Sequence, residues 1–177
     1  MEQRLHSKRV QERNQIGFLL GSKTDIETHV VKDEDIRQCR GRTIVKIRRA
    51  TSLELDRGKA SKAIEILEPA AAFDLAEPPP VSLTTLYLPY LRGSAYLAEG
   101  NGERAAAQYQ KLLEHRTVIA NKPLGALAYV GLGRAYAQER YIETSRTAYE
   151  TFFSLWKDAD PDIPILREAK AEYAKLR

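Results

Sequence analysis

The sequence predicts an all-α protein, with antiparallel helix pairs stacked as a short solenoid and closed by a C-terminal capping helix. Three observations carry this. The chain repeats itself: sliding residues 126–161 back by forty lays Leu132-Gly133-Arg134-Ala135-Tyr136 on Arg92-Gly93-Ser94-Ala95-Tyr96, and Tyr149 on Tyr109. From Ile44 onward, apolar residues recur at the three-and-four spacing of a helix face. Glycines and prolines fall between those periodic stretches, where helices must stop.

The elements follow in order. Residues 1–43 read as a poorly defined basic extension. Residues 15–21 are a short apolar run between glycines, and residues 25–31 alternate weakly, as a half-buried strand would. Neither stretch matches a later part of the chain, and Arg40-Gly41-Arg42 reads as a break. The helical domain spans residues 44–177.

Its first unit is 44–78. Ala50, Leu53 and Leu55 are expected to line one side of its first helix, and Asp56-Arg57-Gly58 to stop it, with Gly free to take a left-handed cap. In the second helix Gly58, Ala63 and Leu67 have the spacing of Gly100, Ala105 and Tyr109 forty-two residues later. Glu77-Pro78-Pro79-Pro80 reads as a rigid spacer.

The second unit is 83–122. Tyr87, Tyr90, Leu91, Ala95, Tyr96 and Leu97 make one helix rich in aromatics, with Pro89 either in its first turn or at a kink. Glu99-Gly100-Asn101-Gly102 makes the turn, and Ala105, Ala106, Tyr109, Leu112 and Leu113 form the partner stripe. Asn121-Lys122-Pro123 closes the unit.

The third unit, 123–161, sets Ala128, Tyr129, Leu132, Gly133, Ala135 and Tyr136 against Thr144, Ala148, Tyr149, Phe152, Phe153 and Trp156. Small residues oppose large ones, as close helix packing requires. The cap, 162–177, turns Ile165, Leu166, Ala169, Tyr173 and Leu176 inward. It shows water Arg167, Glu168, Lys170, Glu172, Lys175 and Arg177.

Composition narrows the function. Residues 1–50 hold twelve Lys/Arg against seven Asp/Glu, a net +5 in a chain of net +4, so the remainder is −1. A basic arm of this kind is usually a solvated segment, and contact with nucleic acid through residues 37–49 is the lesser expectation. The single cysteine, Cys39, excludes an intrachain disulfide and a multi-cysteine zinc site.

His6, His29 and His115 are scattered, and no nucleophile constellation accompanies them. Asp158, Asp160 and Asp162 alternate as in a calcium loop, but Pro161, Ile163 and Pro164 interrupt, so a helix-ending turn explains them better. We therefore expect no enzyme, no cofactor and no metal. No apolar run approaches the ~20 residues needed to span a bilayer, and no leader pattern opens the chain. The expected compartment is the cytoplasm.

The series Tyr129, Leu132-Gly133, Tyr136 and Tyr149 with Pro161 beyond, and Gly93, Tyr96, Ala105 and Tyr109 one unit earlier, resembles a tetratricopeptide repeat. Five features depart from it, two of them a closing Pro161 that falls late and a first unit that keeps only its second helix well. Ser145 stands where Ala is usual, Gln138-Glu139-Arg140-Tyr141 turns without a glycine, and the period exceeds the usual one of about 34 residues.

Residues 45–177 also resemble the C-terminal repeat region of acidobacterial-type serine/threonine protein kinases or winged-helix regulators. The resemblance rests on Lys62-Ala63-Ile64-Glu65, Tyr96-Leu97, residues 156–164 and residues 169–173. The kinase motifs themselves do not occur in this sequence.

The resemblance implies a bacterial signalling scaffold that binds a protein partner in a concave groove. The groove-lining positions of that family fall on Tyr87, Tyr90, Ser94, Leu97 and Ala98, then on Leu127, Val130, Arg134, Ala137 and Gln138. Arg48, Ser52 and Leu55 take that place in the first unit. Tyr90, Leu91, Val130 and Gly131 do not supply the cations that grip acidic peptide termini, so an apolar peptide or amphipathic helix is expected. A competing expectation is that Tyr87 and Tyr90 only pack against the next helix. The alternative function is a self-associating, dimeric tail.

Overall fold

The computed structural model describes residues 40–74, 86–115 and 123–176. Among them it is all-helical, with seven α-helices: α1 (Arg40–Asp56), α2 (Ala60–Leu67), α3 (Tyr87–Glu99), α4 (Gly102–Glu114), α5 (Pro123–Gln138), α6 (Ile142–Leu155) and α7 (Pro164–Tyr173). A 3-10 turn, Glu68–Phe73, prolongs α2. The expectations for residues 1–39, including Cys39, His6 and His29, lie outside the described residues. So do those for the Glu77–Pro80 spacer and for Asn121, Lys122 and Arg177.

The helices pair as α1/α2, α3/α4 and α5/α6, and each pair is reversed by the same turn. Gly58, Gly100 and Arg140 hold φ of 75°, 91° and 62°. The following amide in each case reaches back five residues: Lys59 N to Glu54 O at 2.8 Å, Asn101 N to Tyr96 O at 2.9 Å, Tyr141 N to Tyr136 O at 2.9 Å. This double-bonded cap satisfies the orphan carbonyls of a helix end. The third turn lacks a glycine and still adopts it, so Arg140 carries the steric cost of about 1–2 kcal/mol of a left-handed side-chain-bearing residue.

A second repeated tie links neighbours. Glu99, at the end of α3, accepts from Ser61 Oγ on α2 at 2.8 Å. Glu139, forty residues on at the end of α5, accepts from the backbone N–H of Glu103 on α4 at 3.2 Å.

Pro89 is the third residue of α3 and is buried. No intrahelical bond needs its missing N–H there, so it begins the helix without kinking it.

The stripe that α1 buries is not the expected one. Ile44, Ile47, Thr51 and Glu54 are buried, whereas Ala50, Leu53 and Leu55 are half-buried. Polar residues take core positions because each finds a partner: Thr51 Oγ1 donates to Ile47 O at 2.9 Å, and Arg57 Nη1 donates to Glu54 Oε1 at 2.8 Å. Ile44 and Ile47 join Leu67, Ala70, Leu88 and Leu91 in the core between the first two pairs.

A buried ion pair clamps that junction. Arg92 Nη1 meets Asp74 Oδ2 at 2.6 Å, its Nη2 donates to Leu67 O at 3.0 Å, and Lys111 Nζ reaches the same Asp74 oxygen at 2.8 Å. Arg92 stands where Leu132 stands one unit later, and breaking so buried a pair costs about 3–5 kcal/mol.

Between the second and third pairs the core is steric. The ring of Tyr109 on α4 lies against Gly93 of α3 and Gly131 of α5. A Cβ on Gly93 would come within 2.7 Å of the ring, and one on Gly131 within 2.4 Å.

The third pair repeats half of this. Tyr149 on α6 lies against Gly133, where a Cβ would approach to 2.6 Å. Ser145 is buried, and its Oγ donates to Gly133 O at 2.7 Å, so the hydroxyl replaces the usual alanine by satisfying itself on the facing helix. Thr144, expected in the apolar stripe, is exposed because the buried row of α6 runs Ser145, Ala148, Tyr149, Phe152.

The last helix, α7, buries Leu166 and Ala169 against Ala126, Val130, Tyr149 and Phe152. No helix among the described residues is long and apolar enough to cross a membrane.

Candidate interaction face

The first helices of the pairs, α1, α3 and α5, lie side by side, each touching the next. On α3 the spacing of Tyr87, Tyr90, Ser94 and Leu97 places them on one face, and Leu127, Val130, Arg134 and Gln138 do the same on α5.

Tyr87 is half-buried, and the Arg48 guanidinium sits 5.6 Å from its ring centroid, joining α1 to α3. Leu97 and Leu127 are half-buried, packed from outside on the core that contains Tyr109. Gln138 is exposed, and its Nε2 donates to Leu97 O at 3.4 Å, joining α5 to α3. Ser94 Oγ donates to Tyr90 O at 3.1 Å and shares a hydrogen bond with the Tyr109 hydroxyl at 3.1 Å.

Two of the expected groove positions, Tyr90 and Val130, face inward, whereas Ala98 is exposed and Ala137 half-buried. Tyr90 is buried edge-on to Tyr109, ring centroids 5.6 Å apart, and Val130 is buried beneath α7. Their positions on the helix are as expected, but Tyr109 and the α7 side chains cover them. Burial raises the Tyr90 hydroxyl above its ordinary pKa, opposed in part by the nearby Arg134.

Arg134 already holds an acid. Its Nε donates to Glu172 Oε1 at 3.1 Å and Oε2 at 3.0 Å, and its Nη2 lies 2.9 Å from Oε1 and 3.6 Å from Glu168 Oε2. The Tyr149 hydroxyl donates to the same carboxylate, 2.8 Å from Glu172 Oε2. Burial alone disfavours the Arg134 charge, but Glu172 outweighs it, so the net pKa shift is upward. Burial first and Glu172 second push the Tyr149 hydroxyl well above its usual range.

Glu172 was expected to face water with Arg167 and Lys170. It turns inward because two donors from different helices wait for it.

The repeat-signature residues divide the same way. Gly93, Ala105, Tyr109, Leu132, Gly133 and Tyr149 are buried. Tyr96, Tyr129 and Tyr136 are half-buried on the flanks, with Arg104 over Tyr96 at 5.6 Å and Gln110 Nε2 donating to the Tyr136 hydroxyl at 2.7 Å.

Sequence reasoning missed Glu172 and the Asp74–Arg92–Lys111 clamp. The only signal was an arginine at 134 where the preceding unit has Ser94, with Glu168 and Glu172 one helical turn apart.

No protein-family model, curated protein or solved structure matches this chain.

Proposed function

We propose that the chain is a non-catalytic interaction module of tetratricopeptide type, whose partner is an apolar peptide or amphipathic helix laid across α1, α3 and α5. One observation carries the reading. Tyr87, Leu97 and Leu127 stay partly exposed on adjacent helices, supported from below by a closed core. Apolar side chains fixed by packing lose little entropy on binding, which favours a helix-in-groove complex. Arg48 beside Tyr87 and Gln138 beside Leu97 supply a polar rim. In this reading the partner belongs to a signalling assembly, as the resemblance to kinase and regulator tails implies.

The test is selection of a phage-displayed library of amphipathic helices on the full chain, followed by binding to variants. Leu127→Asp and Tyr87→Ala should each weaken the selected peptides by roughly tenfold or more. Peptides that bind both variants as tightly as the parent would place the partner surface elsewhere.

A further inference from the structure

We infer that the outer face of α1 is a docking surface for the chain's own acidic segment, residues 25–35, which folds back along the helix and closes the first end of the stack. The α1 residues concerned form a different row from Arg48, Ser52 and Leu55, so the groove reading stands or falls separately.

As the first helix of the stack, α1 packs on α2 and α3. Its buried row is Ile44, Ile47, Thr51 and Glu54. Lys46, Arg49, Ala50, Leu53 and Arg57 recur at helical spacing on a second row, away from that core. The three cations of this row are exposed, and Ala50 and Leu53 are half-buried. Arg57 holds Glu54 at 2.8 Å. Among the described residues, Lys46 and Arg49 pair with no carboxylate. The row is a short apolar strip flanked by two cations that await an acid.

The sequence places that acid immediately before it. Residues 36–50 hold six Lys/Arg and no Asp or Glu. Residues 25–35 hold five acids, Asp25, Glu27, Asp33, Glu34 and Asp35, against one lysine. Adjoining blocks of opposite sign attract, and each relieves the repulsion within the other. The acidic block also brings Ile26, Val30 and Val31, apolar residues able to cover Ala50 and Leu53.

The start of α1 adds a second demand. The helix opens on Arg40-Gly41-Arg42 and carries no acid in its first turn, so nothing within it complements the positive end of its dipole. Asp33, Glu34 and Asp35 lie just ahead of that end in the chain.

Reach and tethering select this occupant. Asp35 stands five residues before Arg40, which spans up to about 17 Å when extended. Lys46 and Arg49 lie roughly 9 and 14 Å along the helix from Arg40. A segment held so close acts at an effective concentration of about millimolar, which a diffusing acidic partner must exceed.

The test is hydrogen exchange read by mass spectrometry on the full chain and on three variants folded by circular dichroism. One carries Lys46→Glu with Arg49→Glu. The second carries Asp33→Lys, Glu34→Lys and Asp35→Lys. The third carries all five changes. In the parent, amides of residues 25–35 should exchange at least roughly tenfold more slowly than in an open chain. Either set alone should lose about threefold or more of that protection, and the combined variant should regain it. Absent protection overturns the inference and leaves the face to an outside partner. Protection that neither reversal changes overturns it too. Protection that grows with protein concentration assigns the segment to the α1 of a second copy, which also refutes it.

Should a variant unfold, the parent decides by salt. Protection of residues 25–35 should fall steadily from about 0.05 to 1 M sodium chloride, as exposed ion pairs are screened. Protection that ignores salt refutes the pairing.

Discussion

Tyr109 and Tyr149 stand forty residues apart, and each lays its ring on a glycine of the preceding helix, Gly93 and Gly133. Beyond the ring they differ. Tyr109 meets a second glycine, Gly131 of the next pair, and its hydroxyl shares a neutral bond with Ser94. Tyr149 meets α7, and its hydroxyl donates to the charged Glu172. The interior junction is fitted by size and the terminal one is addressed by charge. A junction fitted by size tolerates no added atom. One addressed by charge holds its helix in register through named donors, Arg134 and Tyr149 on one carboxylate.

The largest test of that contrast is Tyr109→Ala. It should cost about 3–5 kcal/mol, read from the denaturant midpoint, because the cavity opens between two helices that cannot close on it. Next, a methyl pressed against the Tyr109 ring, held between two helix backbones, should cost more than one pressed against the Tyr149 ring, whose far side meets the side chains of Phe153 and Tyr173. Gly131→Ala is expected to lose about 1–3 kcal/mol. Gly133→Ala should lose less, since Tyr149 can shift toward α7. Equal losses would show that α7 confines its junction as firmly as α5 does.

Tyr149→Phe should cost about 1 kcal/mol, with amide exchange rising in α7 and not in α3 or α4. The same hydroxyl predicts an alkaline response. The folded state holds the Tyr109 and Tyr149 protons to higher pH than their ordinary value of 10.0. Above that pH the unfolded chain binds fewer protons than the folded one, so stability is full below pH 10 and falls as pH rises. Denaturation from pH 8 to 11 should show this, with a shallower fall in the Phe variant.

The smallest effect is a gain. Arg140→Gly relieves the one left-handed side chain among the three equivalent turns and should stabilise by about 0.5–1 kcal/mol.

The pair architecture was legible because a repeat states the same size match twice, Gly93 with Tyr109 and Gly133 with Tyr149, at one spacing. Periodicity failed where burial depends on a distant partner. Nothing local marks Arg92 as a core residue, since its acid, Asp74, lies in the preceding unit. Nothing in the pattern of α7 separates Glu172 from Glu168, because the donors sit on α5 and α6. Thr51 and Glu54 displaced Leu53 and Leu55 from the buried stripe by bonding within their own turn of chain. Of the expected groove positions, the half-buried Tyr87, Leu97 and Leu127 followed from helix phase. The burial of Tyr90 and Val130 depended on neighbours that phase alone does not supply.

The enclosure of Tyr109 also makes it a clock. Its ring lies between the backbones of α3 and α5, and in an interior packed to protein density it is expected to turn over about its long axis only when they part. Each half-turn therefore records a moment when the two helices part. The interchange of the two ring edges in a proton spectrum would count how often the middle of this molecule breathes.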